Sequence, residues 1–196
     1  MKNYFKTIVL AVAMLGLTSV SAAKKVEVSV NKALNLVNIS LKSVSVGERL
    51  VIKDFDGTSL FRKTFRQISN FEKSFSLKEV NNGMYFVEVE NDSQIQITPV
   101  LKNDLGVTLI EKAAKFIFKP QYLKDGDIFK FSLLNTNEEA IKIKMYTENG
   151  DEFAKEEGVN DLIIKRTYST KELPRGSYTL VIHKGKKTFS KDFNVY

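Results

Sequence analysis

An all-β chain, arranged as two tandem antiparallel β-sandwiches, is the fold class that this 196-residue sequence predicts. Three observations carry the expectation. Short stretches of alternating apolar and polar residues follow one another with Gly, Asn, Asp and Pro between them. The stretch KEVNNGMYFVEV at 78–89 returns as KELPRGSYTLVI at 171–182. Helical pattern is scarce, LIEKAAKF at 109–116 being short and lying where the halves join.

In chain order, the first element stands apart from the sandwiches. MKNYFKTIVLAVAMLGLTSVSAAKK sets Lys2 and Lys6 before an uncharged run from Thr7 to Ala23 that closes on Ser21, Ala22 and Ala23. That is the layout of a secretory signal peptide, and the run falls short of the roughly 20 apolar residues that span a bilayer comfortably. Residues 1–23 are expected to be removed, leaving no transmembrane segment in the mature chain. Loss of two lysines takes the formal charge from +7 to +5. So mild an excess reads as a solubilising lysine coat, and the polyanions it would favour are lipid phosphate or acidic polysaccharide. There is no cysteine, so disulfides and a lipidated cysteine are both excluded, and each module must hold together by apolar burial.

The first module is expected over residues 24–101. Its strands are Val26–Val30, Leu36–Leu41, Leu50 to the Asp56-Gly57 turn, Leu60–Phe65, Phe71–Leu77, Met84–Glu90 and Gln94–Thr98. Residues 102–114 read as a connector. The second module, 115–196, is expected to open with Lys115–Lys119 and continue with Phe129–Leu133, Ala140–Tyr146, Leu162–Tyr168, Ser177–His183 and Lys187–Val195. An offset of 93 carries Ser76 onto Ser169, Lys78 onto Lys171, Gly83 onto Gly176, Tyr85 onto Tyr178 and Asp56-Gly57 onto Asn149-Gly150. That period is a domain length, so the chain reads as a tandem duplication. Asp56-Gly57 and Asn149-Gly150 are suited to type I′ hairpins, in which both central residues take positive φ.

Six or seven such strands per half describe immunoglobulin- or fibronectin-III-like sandwiches. In that fold a tyrosine opening the sixth strand buries its ring and returns its hydroxyl to upstream backbone. Tyr85 and Tyr178 fit the role, with plain core aromatics as the alternative, and Gly83 and Gly176 allow the sharp entry into each strand. Gly57, Gly83, Tyr85, Gly150, Gly176 and Tyr178 thus form a structural signature.

The stretch LPRGSYTLVIHKGKKTFSKDFNVY, with Pro174, Gly176, Tyr178, alternating aliphatics and a basic final strand, resembles the C-terminal sorting domain of type IX secretion cargo in Bacteroidota. The similarity covers roughly residues 128–196. It implies an Ig-like sandwich that directs a passenger across the outer membrane and is usually removed there. Over its full length the chain resembles small exported two-repeat proteins of the same bacteria.

No residue set forms a catalytic constellation, and no cofactor or metal site is expected. His183 is the single histidine; alternation turns it outward beside the Lys184-Gly185 turn, away from any triad. Asp54 and Asp56 lack the remaining ligands of a calcium loop. Glu88 and Glu90 share an outward strand face, where carboxylates are ordinarily solvated. Lys184, Lys186 and Lys187, with Arg62, Lys63 and Arg66, form basic clusters of the kind that keeps sheet edges from pairing, without the interleaved aromatics of a nucleic-acid binder. Phe86 is expected outside, as a contact residue. The functional expectation is a non-enzymatic exported binding or structural protein of the periplasm or cell surface, its partner a protein or polysaccharide of the envelope. The alternative is a type IX secretion substrate whose last domain is a sorting signal read by the secretion machinery.

Overall fold

The computed structural model describes residues 26–196, so the signal peptide expected over 1–23 lies outside the described residues. The described residues are all-β and divide into two compact units near Ile117 and Phe118. In the first unit the strands are β1 (Val26–Asn31), β2 (Leu36–Val44), β3 (Arg49–Asp54), β4 (Ser59–Thr64), β5 (Ser69–Ser76), β6 (Gly83–Glu90), β7 (Gln94–Asn103), β8 (Gly106–Leu109) and β9 (Lys115–Phe118). One sheet runs β1-β2-β5 and the other β4-β3-β6-β7-β8, with β9 also paired to β7.

The second unit holds β10 (Gln121–Asp125), β11 (Ile128–Leu134), β12 (Ile141–Thr147), β13 (Glu152–Val159), β14 (Ile163–Ser169), β15 (Gly176–Lys184) and β16 (Lys187–Val195). Its sheets run β10-β11-β14 and β13-β12-β15-β16. Taken in order, β10 to β16 reproduce the arrangement of β1 to β7, three strands facing four, which is a seven-stranded Ig-like sandwich written twice.

Each sandwich closes its own core, and the period of two explains which residues enter it. The first buries Val37, Ile39 and Leu41 from β2, Leu50 and Ile52 from β3, and Tyr85, Val87 and Val89 from β6. The second buries Phe129, Phe131 and Leu133 from β11, Ile141, Ile143 and Met145 from β12, and Tyr178, Leu180 and Ile182 from β15. Phe193 stacks on Phe129 with centroids 4.2 Å apart and on Tyr178 at 5.7 Å, so aromatic contact fills the second interior where aliphatics dominate the first.

Four expectations about local structure are corrected. Residues 102–114 hold the end of β7, β8 and a 3₁₀ turn at Glu111–Ala113 rather than a free connector, and Lys115–Phe118 pairs with β7 instead of opening the second module. The apolar spacing in LIEKAAKF serves two short strands laid along one edge. Gly106, entering β8, has φ +113° and a site where a Cβ would stand 2.4 Å from the Lys32 carbonyl oxygen, so only glycine brings β8 against the β1–β2 turn.

The two hairpin turns also differ from type I′. Gly57 and Gly150 have φ +91° and +85°, but Asp56 and Asn149 do not join them at positive φ. Gly57 N–H donates to Asp54 and Asp54 N–H to Thr58; Gly150 N–H donates to Thr147 and Thr147 N–H to Asp151. These are three-residue loops ending in a glycine bulge, and the side chain of the first residue helps close each one. Thr58 N–H donates to Asp54 Oδ1 at 2.8 Å and Asp151 N–H to Thr147 Oγ1 at 3.3 Å. Finally, the sequence does not predict β10 and β13; both are charge-bearing edge strands, exposed at half or more of their positions.

Candidate functional site

The six signature residues fall at equivalent places in the two modules. Tyr85 and Tyr178 start inward on β6 and β15 and are each 5% exposed. Their hydroxyls donate to Asn81 and Pro174 carbonyl oxygens, both at 2.7 Å and both four residues upstream. Burial, and then the nearby Asp54 carboxylate, push the Tyr85 phenol above its ordinary pKa. Gly83 and Gly176 have φ +156° and +155°. A Cβ at Gly83 would meet nothing within 4 Å, so the glycine there answers to backbone conformation and not to space. These residues hold the loops preceding β6 and β15 to their strands and bring no reactive group to the surface.

Several of the charged groups singled out by sequence are engaged locally. Glu88 pairs with Lys53 at 2.7 Å and Glu90 with Arg49, so each carboxylate of β6 is matched to a cation of β3. Asp54 is committed to its turn. His183 Nδ1 lies 3.0 Å from Thr188 Oγ1 across the β15–β16 pair. Among the described residues no three His, Cys, Asp or Glu side chains gather at metal-binding distance. Phe86, expected outside, is half-buried opposite Pro99 and Lys53.

The cluster Lys184, Lys186 and Lys187 is split by the fold. Lys184 is buried, and its Nζ donates to the Leu134 carbonyl oxygen at 3.3 Å. Burial pulls its pKa down, against the raising influence of Glu139. Alternation carries Lys184 onto the same inward face as Tyr178, Leu180 and Ile182, so it does not belong with the surface lysines Lys186 and Lys187 with which the sequence groups it. Polar side chains on the outer face of β1-β2-β5 satisfy one another: Ser74 Oγ donates to Asn38 Oδ1 at 2.7 Å and Ser40 Oγ to Glu72 Oε1 at 3.3 Å.

The surface that sequence reading missed is the flank where the two sheets of each sandwich come together. In the first module this is β4 facing β5, and in the second β13 facing β14. The clue was present as FRKTF at 61–65 and FEKSF at 71–75, the same pattern ten residues apart.

With the strands placed, comparison with known proteins finds a family similarity in the first module. Residues 24–103 match the family model of the secretion system C-terminal sorting domain. The matched span covers β1 to β7 and stops before β8. The sorting-domain resemblance of LPRGSYTLVIHKGKKTFSKDFNVY lies in the second module, whereas the family match lies in the first, which has the same strand order. No curated protein sequence matches the chain. Among solved structures, the chain is similar to a biofilm associated protein, BSP domain, at 12% identity and TM-score 0.27, over 87% of this chain and 29% of that one. It is also similar to the human OSCAR ligand-binding domain at 8% identity and TM-score 0.24, over 82% of this chain and 89% of that one. The chain thus spans less than a third of the first of these.

Proposed function

We propose that the protein is an exported, non-enzymatic binding protein of the cell envelope, built from two modules of the sorting-domain type. The observation that carries this reading is the match of residues 24–103 to a secretion sorting domain, on a sandwich whose seven-strand order the rest of the chain repeats. A sandwich of this kind offers sheet faces and edges for contact, and among the described residues Glu88, Glu90 and Glu156 are each held in an ion pair.

The sorting-domain match favours a second reading, in which the protein is a type IX secretion substrate and its second module is an address read by the secretion machinery. Intact-mass measurement on periplasm, outer membrane and medium separates the two. A binding protein is recovered with both modules and Tyr196 retained. A sorted substrate is recovered outside the outer membrane, shortened near the division between Ile117 and Phe118. Unprocessed chain confined to the cytoplasm overturns both.

A further inference from the structure

The flank between sheets carries opposite chemistry in the two modules. In FRKTF and FEKSF, residues i, i+2 and i+4 are Phe, Lys and Phe, so on each strand these three share a face. The register says which face: Lys63 lies opposite Leu50 and Lys73 opposite Ile39, both core residues. The lysines therefore point to the inner side of their sheets. Across the gap, Phe61 meets Phe75 at 4.7 Å and Phe65 meets Phe71 at 5.4 Å. Lys73 Nζ sits 4.9 and 5.2 Å from the rings of the first pair, and Lys63 Nζ 5.4 and 5.7 Å from those of the second. Among the described residues neither lysine has an ion-pair partner.

The second module fills the same positions with a matched pair. Glu156 on β13 lies opposite Ile143, and Arg166 on β14 opposite Phe131, again core residues. They stand 93 residues beyond Lys63 and Lys73. Arg166 Nε donates to the two carboxylate oxygens of Glu156 at 3.1 and 2.9 Å, closing the flank from sheet to sheet. Where the second module supplies its own carboxylate, the first supplies a second cation.

We propose that the β4–β5 flank of the first module binds an acidic strand of a partner protein, whose carboxylates take the place that Glu156 takes in the second module. Each ammonium is held on a pair of rings, so the two cations are positioned before the partner arrives. The ring pairs lie four residues apart along their strands, roughly 13 Å at about 3.3 Å per residue. An extended chain with acidic residues at i and i+4 matches that spacing and presents both carboxylates on one face. Both β4 and β5 are sheet edges, so the strand has main chain to pair with. The proposal rests on the binding reading above and gives it a partner class.

The test uses the mature chain, residues 24–196, and a labelled ten-residue peptide of Val and Thr with Glu at i and i+4, titrated by fluorescence anisotropy. The Glu peptide is expected to bind and the same peptide with Gln is not, with affinity falling as salt rises. Lys63→Gln and Lys73→Gln are each expected to weaken binding about tenfold or more. Lys63→Glu, which copies Glu156, is expected to fill the site from within and abolish binding while the melting temperature holds or rises. Equal binding of the Glu and Gln peptides overturns the proposal, as does binding that survives both Gln variants. Anionic vesicles or heparin captured through these lysines in place of the peptide also overturn it, and so does no binding at all, which leaves the lysines as guards against edge pairing. Export is tested separately by mass measurement, so either reading fails without the other.

Discussion

The hydroxyl of Tyr178 donates to the carbonyl oxygen of Pro174 at 2.7 Å, and Tyr85 makes the same bond, at the same length, to Asn81. Because the two tyrosines belong to separate cores, each bond secures one sandwich. Tyr85→Phe and Tyr178→Phe keep the ring and lose the bond, and each is expected to cost about 1 kcal/mol. In urea unfolding followed by circular dichroism, the two substitutions should lower the midpoints of two different transitions. A single transition that moves with either one would contradict separate cores.

Tyr122 provides the contrast. Its hydroxyl is buried and has no hydrogen-bond partner among the described residues. Tyr122→Phe is therefore expected to leave the second module unchanged or to stabilise it by up to about 1 kcal/mol at neutral pH. The same unfolding experiment reads the sign.

Alkaline pH is expected to open the second module first. Burial pushes the Tyr122 phenol up to about 12, and burial, then Glu156, push that of Tyr168 higher. In an unfolded chain a phenol titrates near 10. Below that value both states keep their protons and the contribution to stability is whole; above it the unfolded chain loses protons that the folded module retains, so stability falls as pH rises. Base-induced unfolding followed by near-ultraviolet circular dichroism should begin above about pH 10, and Tyr168→Phe should move the onset upward.

Glycine positions should separate conformation from space. At Gly83 an added Cβ meets open room, so Gly83→Ala pays only for φ +156°, about 1–2 kcal/mol. At Gly106 the Cβ also collides with Lys32 backbone, so Gly106→Ala is expected to cost more than Gly83→Ala and to loosen β8. Amide hydrogen exchange along β7 checks the second effect.

Much of the fold was legible because the residues that carry it obey simple periods. Tyr85, Val87 and Val89 alternate cleanly into a core, and glycine at 57 and 150 marks two hairpins whatever the turn type. The edge strands were harder. EFAKEEGV in β13 is charged at half of its positions, since an edge facing water has no need to alternate, and pattern reading therefore passes over it. The β8–β9 segment imitates a helix because its apolar residues serve two short strands separated by a turn. The flank was least legible: Lys63 and Glu156 look like ordinary surface charges until register shows both pointing toward the core side of an edge.

The covering of β7 by β8 and β9 bears on how the protein is cut for study. The span that matches the sorting-domain model ends at residue 103, so a fragment trimmed to it would bare the backbone of a ten-residue strand. Such a piece is expected to self-associate, whereas one carried through Phe118 keeps its own shield and should sediment as a monomer.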